Sequence, residues 1–352
     1  MQLPAHIDIS ASLPDFEIPA FRNIKNRLNQ VRGLISTQLT SGIVDLAEQY
    51  RFKQKPTIPD TDRLFEYVRS RSGKMIRPGL VLLVGSCCGN ITDEHVRVAA
   101  IIEMIHNATL FHDDVIDNGQ KRRGRPTINS IWGNEYAVLM GDFLLSRVFR
   151  LCAEIKPELI KMIADATVRL CEGELRQIML RRNWQLSESE YIDVITEKSA
   201  VLFSTCCSVG AVLAGAGEPQ VRSLSEFGLN AGIAFQIIDD LLDISGDEKV
   251  TGKNSGNDLN QCKLTLALIH LLKTVDNTER DEVINSFLKG NKAGRDRSRF
   301  AGLLERYGSM EYARTRAQKF VEKAILALDG FEANDAKNAL IETAMFMADR
   351  VV

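Results

Sequence analysis

The sequence has no apolar run as long as the roughly 18 residues that a membrane-spanning helix needs. Its opening stretch, MQLPAHIDIS, also lacks the positive and apolar regions of a signal peptide. A cytoplasmic protein is expected. The seven cysteines include the adjacent pairs Cys87-Cys88 and Cys206-Cys207 but no C-x-x-C spacing. They fit a reducing compartment and small core positions, not a metal or redox site. Excess charge is lacking too: the formal net charge is -2, so no basic field attracts nucleic acid and any anion site must be built locally. Prolines number 9, and no Pro/Gly/Ser-rich linker or low-complexity segment divides the 352 residues. One large all-α domain over residues 19–352 is expected, preceded by an arm over 1–18 that holds Pro4 and Pro14.

What the chain does have is acid at the ends of apolar helices. The stretch TDEHVRVAAIIEMIHNATLFHDDVID closes in Asp113, Asp114 and Asp117, and FQIIDDLLDISGD repeats the D-D-x-x-D spacing as Asp239, Asp240 and Asp243. Residues four apart share a helix face, so Asp113 and Asp117 are stacked and Asp114 borders them. Like charges so close destabilise a helix unless a cation neutralises them. A single copy would read as a solvated helix end. Two matched copies imply carboxylates facing across one cleft, and Mg²⁺ prefers one or two carboxylates, several waters and phosphate oxygens. The missing ligands therefore point to a phosphorylated substrate.

Flanking segments support that reading. Apolar residues recur at helical spacing from Phe21 to about Gln54, Pro56 and Pro59 end the run, and a further helix is expected over Arg63 to Arg71. In SGKMIRPGLVLLVG, Lys74 and Arg77 precede an apolar helix opened by Pro78, a plausible diphosphate clamp. Thr92 is placed to cap the first aspartate helix. His106 and His112 lie on that helix without metal-ligand spacing, although His106 could donate to a phosphate. After Asp117, Lys121, Arg122, Arg123 and Arg125 crowd into a loop marked by Gly124 and Pro126, and arginine forks suit phosphate. Pro157 opens a helix that carries Glu172, Glu174 and Gln177, and Ser187 with Glu190 makes a capping box. Gly228 and Gly232 let another helix approach closely. Segments 263–274 and 309–350 read as peripheral amphipathic helices, and 285–300 as a loop-flanked surface turn.

The stretches HNATLFHDDVIDNGQKRRGRPTINSIWGNEYAVLMGDFLL, GKMIRP, EGELRQ, EKSAVLF and FQIIDDLLDISGDEKVTGKNSGNDL occur in this order. Together they closely resemble the trans-prenyl diphosphate synthases. The resemblance implies an all-helical bundle around a deep central cavity, homodimeric, condensing isopentenyl diphosphate head-to-tail with an allylic diphosphate. It implies Asp113, Asp117 and Asp239 as Mg²⁺ ligands for about three ions, with Asp114, Asp240 and Asp243 in support. Arg122, Lys198, Ser199, Gln236, Lys253 and Lys263 match groups holding the allylic substrate, and Lys74, Arg77, His106 and Arg123 match the isopentenyl diphosphate site. Peripheral membrane contact for product release would follow. Ser199 stands where threonine is usual, and Cys262 and Leu264 replace the glycine and proline usual beside Lys263, which puts the local loop geometry in question.

Two other classes are weighed. A class I terpene cyclase would share the first aspartate motif but carry N-D-x-x-S-x-x-x-E in place of DDLLD, and a non-catalytic subunit should show eroded metal or arginine positions. Neither departure occurs. Product length is expected to follow from the wall below Asp113, where Thr109 lies one turn down, Ile105 two, Ala108 beside them, and Ile101 roughly 18 Å down. Bulky aromatics four or five residues before the first aspartate block the tunnel in the family's short-chain members. Ala108 and Thr109 cannot do so, which predicts a long-chain product, heptaprenyl to decaprenyl, over geranylgeranyl diphosphate.

Overall fold

A 3₁₀ turn, Pro19–Ile24, leads into helix α1, Lys25–Gln49, so the first helical run starts tighter than its apolar spacing alone predicts. The computed structural model describes residues 18–49, 59–70, 73–245, 261, 263–288 and 295–349. Of the expected arm over 1–18, only the buried Ile18 is among them, and Pro56 also lies outside the described residues. Helix α2, Pro59–Arg69, begins on its proline; the first helical position tolerates a missing N–H, so Pro59 opens a helix instead of ending one.

Helix α3, Ile76–Cys88, starts two residues before Pro78, after Met75 turns the chain in a left-handed conformation (φ 55°). Helix α4, Asp93–Ile116, begins at Thr92 as expected, with an unforeseen partner: Thr92 N–H donates to His95 Nδ1 at 3.1 Å. That acceptance leaves the proton on Nε2, which donates to Gly210 O at 3.1 Å. The basic run after Asp117 is a tight antiparallel hairpin, β1 Lys121–Arg122 and β2 Arg125–Pro126, where a plain loop was expected. Its central residues, Arg123 (φ 54°) and Gly124 (φ 75°), supply the positive-φ pair that two-residue hairpin turns require.

The chain continues through α5 (Ile128–Trp132), α6 (Asn134–Cys152), α7 (Pro157–Met179) and α8 (Glu188–Ile195), the last held by the Ser187 and Glu190 capping box. A π-helical turn, Thr196–Ala200, joins α8 to α9, Val201–Leu213, and α10 runs Glu218–Ser245. Then come α11 (Leu266–Thr274), α12 (Asn277–Leu288), α13 (Arg295–Arg306), α14 (Ser309–Leu326) and α15 (Asp335–Ala348). Two expectations are corrected here. The described parts of 285–300 are helical, because Phe300 and Leu304 fall on one face and are buried. Helix α11 is not peripheral: Leu266, Ala267, Leu268, Ile269, Leu271 and Leu272 are all buried.

The interior is organised on α4, buried on all sides from Val98 to Met104 and packed against α3, α6 and α9. Helix α9 packs on α3, α7 and α10, and α10 is backed by α14 and α15. Small residues set the α9–α10 distance. A Cβ on Gly228 would lie 2.5 Å from Phe203 O, and one on Gly232 2.8 Å from Ala200 Cα. The expected close approach is therefore backbone on backbone. Gly228→Ala should lower unfolding stability by about 2 kcal/mol, since the helices must separate. Gly33→Ala, which meets nothing within 4 Å, should instead raise it by about 0.5–1 kcal/mol through helix propensity. Denaturant titration of the two variants checks both signs.

Candidate active site

Helix α4 delivers Asp113 and Asp114 in its last turn and Asp117 as its C-cap, whose N–H donates to Asp113 O at 2.8 Å. Helix α10 delivers Asp239, Asp240 and Asp243 from within its last two turns. The two sets face one another: Arg122 lies in the field of Asp114, Asp113 and Asp239 together. Cations of the chain itself temper the repulsion expected of this cluster. Arg122 Nε donates to Asp114 Oδ1 at 2.7 Å, and Asp114 is buried (2% exposed), so this pair fixes the arginine's direction. Lys263 Nζ reaches Asp117 Oδ1 and Oδ2 at 3.0 and 3.1 Å. The Lys263 loop, in doubt because of Cys262 and Leu264, thus places its ammonium in the site; Cys262 and Lys253 lie outside the described residues.

Electrostatics separate the aspartates. Burial pushes the Asp113 carboxyl up to about 6, with Lys198 working against it. Burial also acts on Asp117, but Lys263 and Lys198 outweigh it and hold that carboxyl below the usual range. For Lys198, burial alone would lower the ammonium's pKa, and Asp113 and Glu174 turn the shift upward. Lys198 is gripped from α7: Glu174 Oε2 lies 2.6 Å and Gln177 Oε1 2.7 Å from its Nζ. Glu172, grouped with them by sequence, is exposed instead. Ser199 Oγ donates to Gln236 Oε1 at 2.6 Å, and Gln236 Nε2 donates to Asp240 Oδ1 at 2.7 Å.

Lys74 precedes α3 and Arg77 lies in its first turn, both half-buried. From the turn, Arg123 reaches the segment before α3: its guanidinium lies against Gly73, where a Cβ would be 2.6 Å from Nη1. His106 sits on the partly exposed face of α4, its carbonyl accepting from Thr109 Oγ1. His112 is structural: its ring packs on Gly141 and Nε2 lies 3.2 Å from Val138 O, joining α4 to α6.

Sequence reading missed several groups. Tyr191 OH donates to Asp240 Oδ2 at 2.6 Å. Arg181 Nη2 bridges Asp117 Oδ1 at 3.4 Å and Gln261 Oε1 at 3.0 Å, while Gln261 Nε2 donates to Asp117 O at 2.8 Å. Gln261 thereby caps the C-terminus of α4 from beyond the second aspartate motif. No spacing rule signals such contacts between residues far apart in the chain.

Hard carboxylate oxygens, one of them already holding an ammonium, fit a divalent cation such as Mg²⁺. Among the described residues, however, no three acidic, histidine or cysteine side chains converge closely enough to hold a metal alone. The set fits a metal that arrives with ligands of its own.

A polyprenyl synthetase family model matches residues 59–301. The chain belongs to that family. It is 34% identical over 294 residues to an octaprenyl diphosphate synthase of Haemophilus influenzae, covering 83% of this chain and 89% of that one. It is 33% identical to a short chain isoprenyl diphosphate synthase of Methanothermobacter thermautotrophicus, covering 82% and 90%. Its fold superposes with TM-score 0.84 on a polyprenyl synthase of Caulobacter crescentus complexed with calcium and isoprenyl diphosphate, at 30% identity over 94% of this chain and 97% of that one. The fold is thus the all-α isoprenoid synthase bundle, and the chain is a prenyltransferase of the trans-polyprenyl diphosphate synthase class.

In this synthase, Gly173 gives α7 its approach to the π-turn, because a Cβ there would collide with the backbone of Lys198. Gly173→Ala should therefore shift Lys198 relative to the aspartates. Turnover should drop about 100-fold with helical circular dichroism retained, as steady-state kinetics on the folded variant would show.

Proposed function

We propose that this synthase condenses isopentenyl diphosphate head-to-tail with an allylic diphosphate and repeats the step to a long-chain all-trans product. The observation that carries the proposal is the pair of opposed aspartate clusters with Arg122 between them and Lys198 and Lys263 beside them. Such an array suits a diphosphate that arrives with metal and leaves carrying more negative charge.

Asp113, Asp117 and Asp239 would hold Mg²⁺ together with diphosphate oxygens, about three ions when substrate is bound. Bound Mg²⁺ supplies Lewis-acid stabilisation of the departing diphosphate. Arg122, Lys198 and Lys263 add fixed positive charge at the same leaving group, which is the preorganised electrostatic contribution. Ser199 and Gln236 orient the allylic substrate through their mutual bond and the link to Asp240. Lys74, Arg77, His106 and Arg123 hold the diphosphate of isopentenyl diphosphate. Its double bond attacks the allylic carbon as the carbon–oxygen bond to diphosphate breaks. The proton then lost passes to the departing diphosphate.

Two further assignments belong to this reading. Helix α7 exposes Val168, Cys171, Leu175 and Met179 at three- and four-residue spacing, an apolar stripe that suits a second copy of the chain, so the enzyme acts as a homodimer. No described helix is long and apolar enough to cross a membrane, and the described cysteines are all free, which suits action in the cytoplasm with peripheral membrane contact for product release.

Of the residues expected to line the product tunnel, Ile101, Ile105 and Ala108 are enclosed in the core, and only Thr109 keeps a partly exposed surface below Asp113. Thr109 is therefore the wall residue of this set. The testing experiment is a Mg²⁺-dependent assay with labelled isopentenyl diphosphate and an allylic primer. Elongated long-chain diphosphate is expected; cyclised hydrocarbon or no product contradicts the proposal. In the same assay Thr109→Phe should shorten the product, whereas Ala108→Phe should reduce stability by about 1–3 kcal/mol through overpacking.

A further inference from the structure

The cations placed around isopentenyl diphosphate do not stand on loops alone. Lys74 Nζ lies 5.3 Å from the ring centroid of Phe346, on the C-terminal helix α15. Arg77 Cζ lies 4.3 Å from the centroid of Phe203, on α9, and Phe203 in turn packs on Phe235 with centroids 5.2 Å apart. A buried acid, Glu103, lies in the middle of α4 and is 3% exposed. Arg77, Arg123 and Arg32, from α3, the hairpin and α1, all act on its charge.

We propose that Phe346, Phe203 and Glu103 are positioning residues that hold Lys74, Arg77 and Arg123, making the C-terminal helix a working part of the isopentenyl diphosphate site. The inference rests on the assignment of Lys74 and Arg77 made under the proposed function.

Lysine carries a flexible four-carbon stem, and ordering it for a phosphate costs rotamer entropy. A ring face attracts the ammonium through its quadrupole and narrows that freedom before the substrate arrives. Arginine gains more, because its planar guanidinium stacks through its face and keeps its N–H donors at the edge. Phe203 therefore leaves Arg77 able to fork onto a diphosphate. Glu103 answers a different need. Several guanidinium groups cannot be brought together without a counter-charge, and a carboxylate buried this deeply is retained only with cationic partners. Burial pushes the Glu103 carboxyl up, against the pull of Arg77, Arg123 and Arg32. The carboxylate balances the arginines without competing for substrate, since it is buried in α4.

Phe346 is the cleanest probe, because it is only half-buried whereas Phe203 is wholly enclosed. Phe346→Leu removes the ring and keeps apolar volume. It should raise KM for isopentenyl diphosphate about two- to fivefold and leave kcat and the allylic KM unchanged. Phe346→Trp should restore the wild-type value, since it restores a ring face. Glu103→Gln should raise the same KM by about fivefold or more, again without moving the allylic KM. Lys74→Ala is the control: if it leaves KM for isopentenyl diphosphate unchanged, the site assignment itself fails. If Lys74→Ala raises that KM while Phe346→Leu does not, or while Trp fails to restore it, the positioning role of the ring is overturned. An unchanged or lowered KM in Glu103→Gln overturns the role of the carboxylate.

Discussion

Carboxylates gathered at the ends of two facing helices repel one another, and most of the site answers that repulsion. Arg122 is locked to Asp114, Lys263 to Asp117, and Lys198 is held between Asp113 and Glu174. Each cation is fixed by protein before any ligand binds, so little reorganisation is left for the moment when diphosphate charge develops. The backbone serves the same end. Gly173 lets α7 press on the π-turn of Lys198, and Gly228 and Gly232 bring α10 onto α9 so that the second aspartate set faces the first.

The hairpin divides the labour between two neighbouring arginines. Arg122 ends β1 and turns to Asp114, while Arg123, forced to positive φ in the turn, lies over Gly73. Adjacent positions thereby serve opposite sides of one ribbon. One arginine bonds Asp114 and the other lies against Gly73, the residue before Lys74.

Much of this was legible in the sequence because it is local. The repeated D-D-x-x-D, the Thr92 cap, the Ser187 and Glu190 box and the Gly228–Gly232 pair each state their geometry within a few residues. What was not legible depends on partners brought together by the fold. Gln261 caps Asp117, Tyr191 bonds Asp240, and Phe346 meets Lys74, each from a different helix or segment. Glu103 was hidden for another reason: inside an apolar helix a single acid reads as one polar interruption until its arginine neighbours are seen. The described parts of 285–300 are helical where a turn was expected, because charged residues concealed the helical spacing of Phe300 and Leu304. His95 escaped notice as a capping partner because Glu or Gln is the usual residue there.

On the proposed function, Asp113, Asp117 and Asp239 hold metal jointly with the oxygens of the substrate's diphosphate. Titration of Mn²⁺ followed by electron paramagnetic resonance, with and without inorganic diphosphate, tests it directly. Binding should be weak for Mn²⁺ alone and tighten about tenfold or more when diphosphate is present. Tight binding without diphosphate, or no tightening with it, would contradict the account.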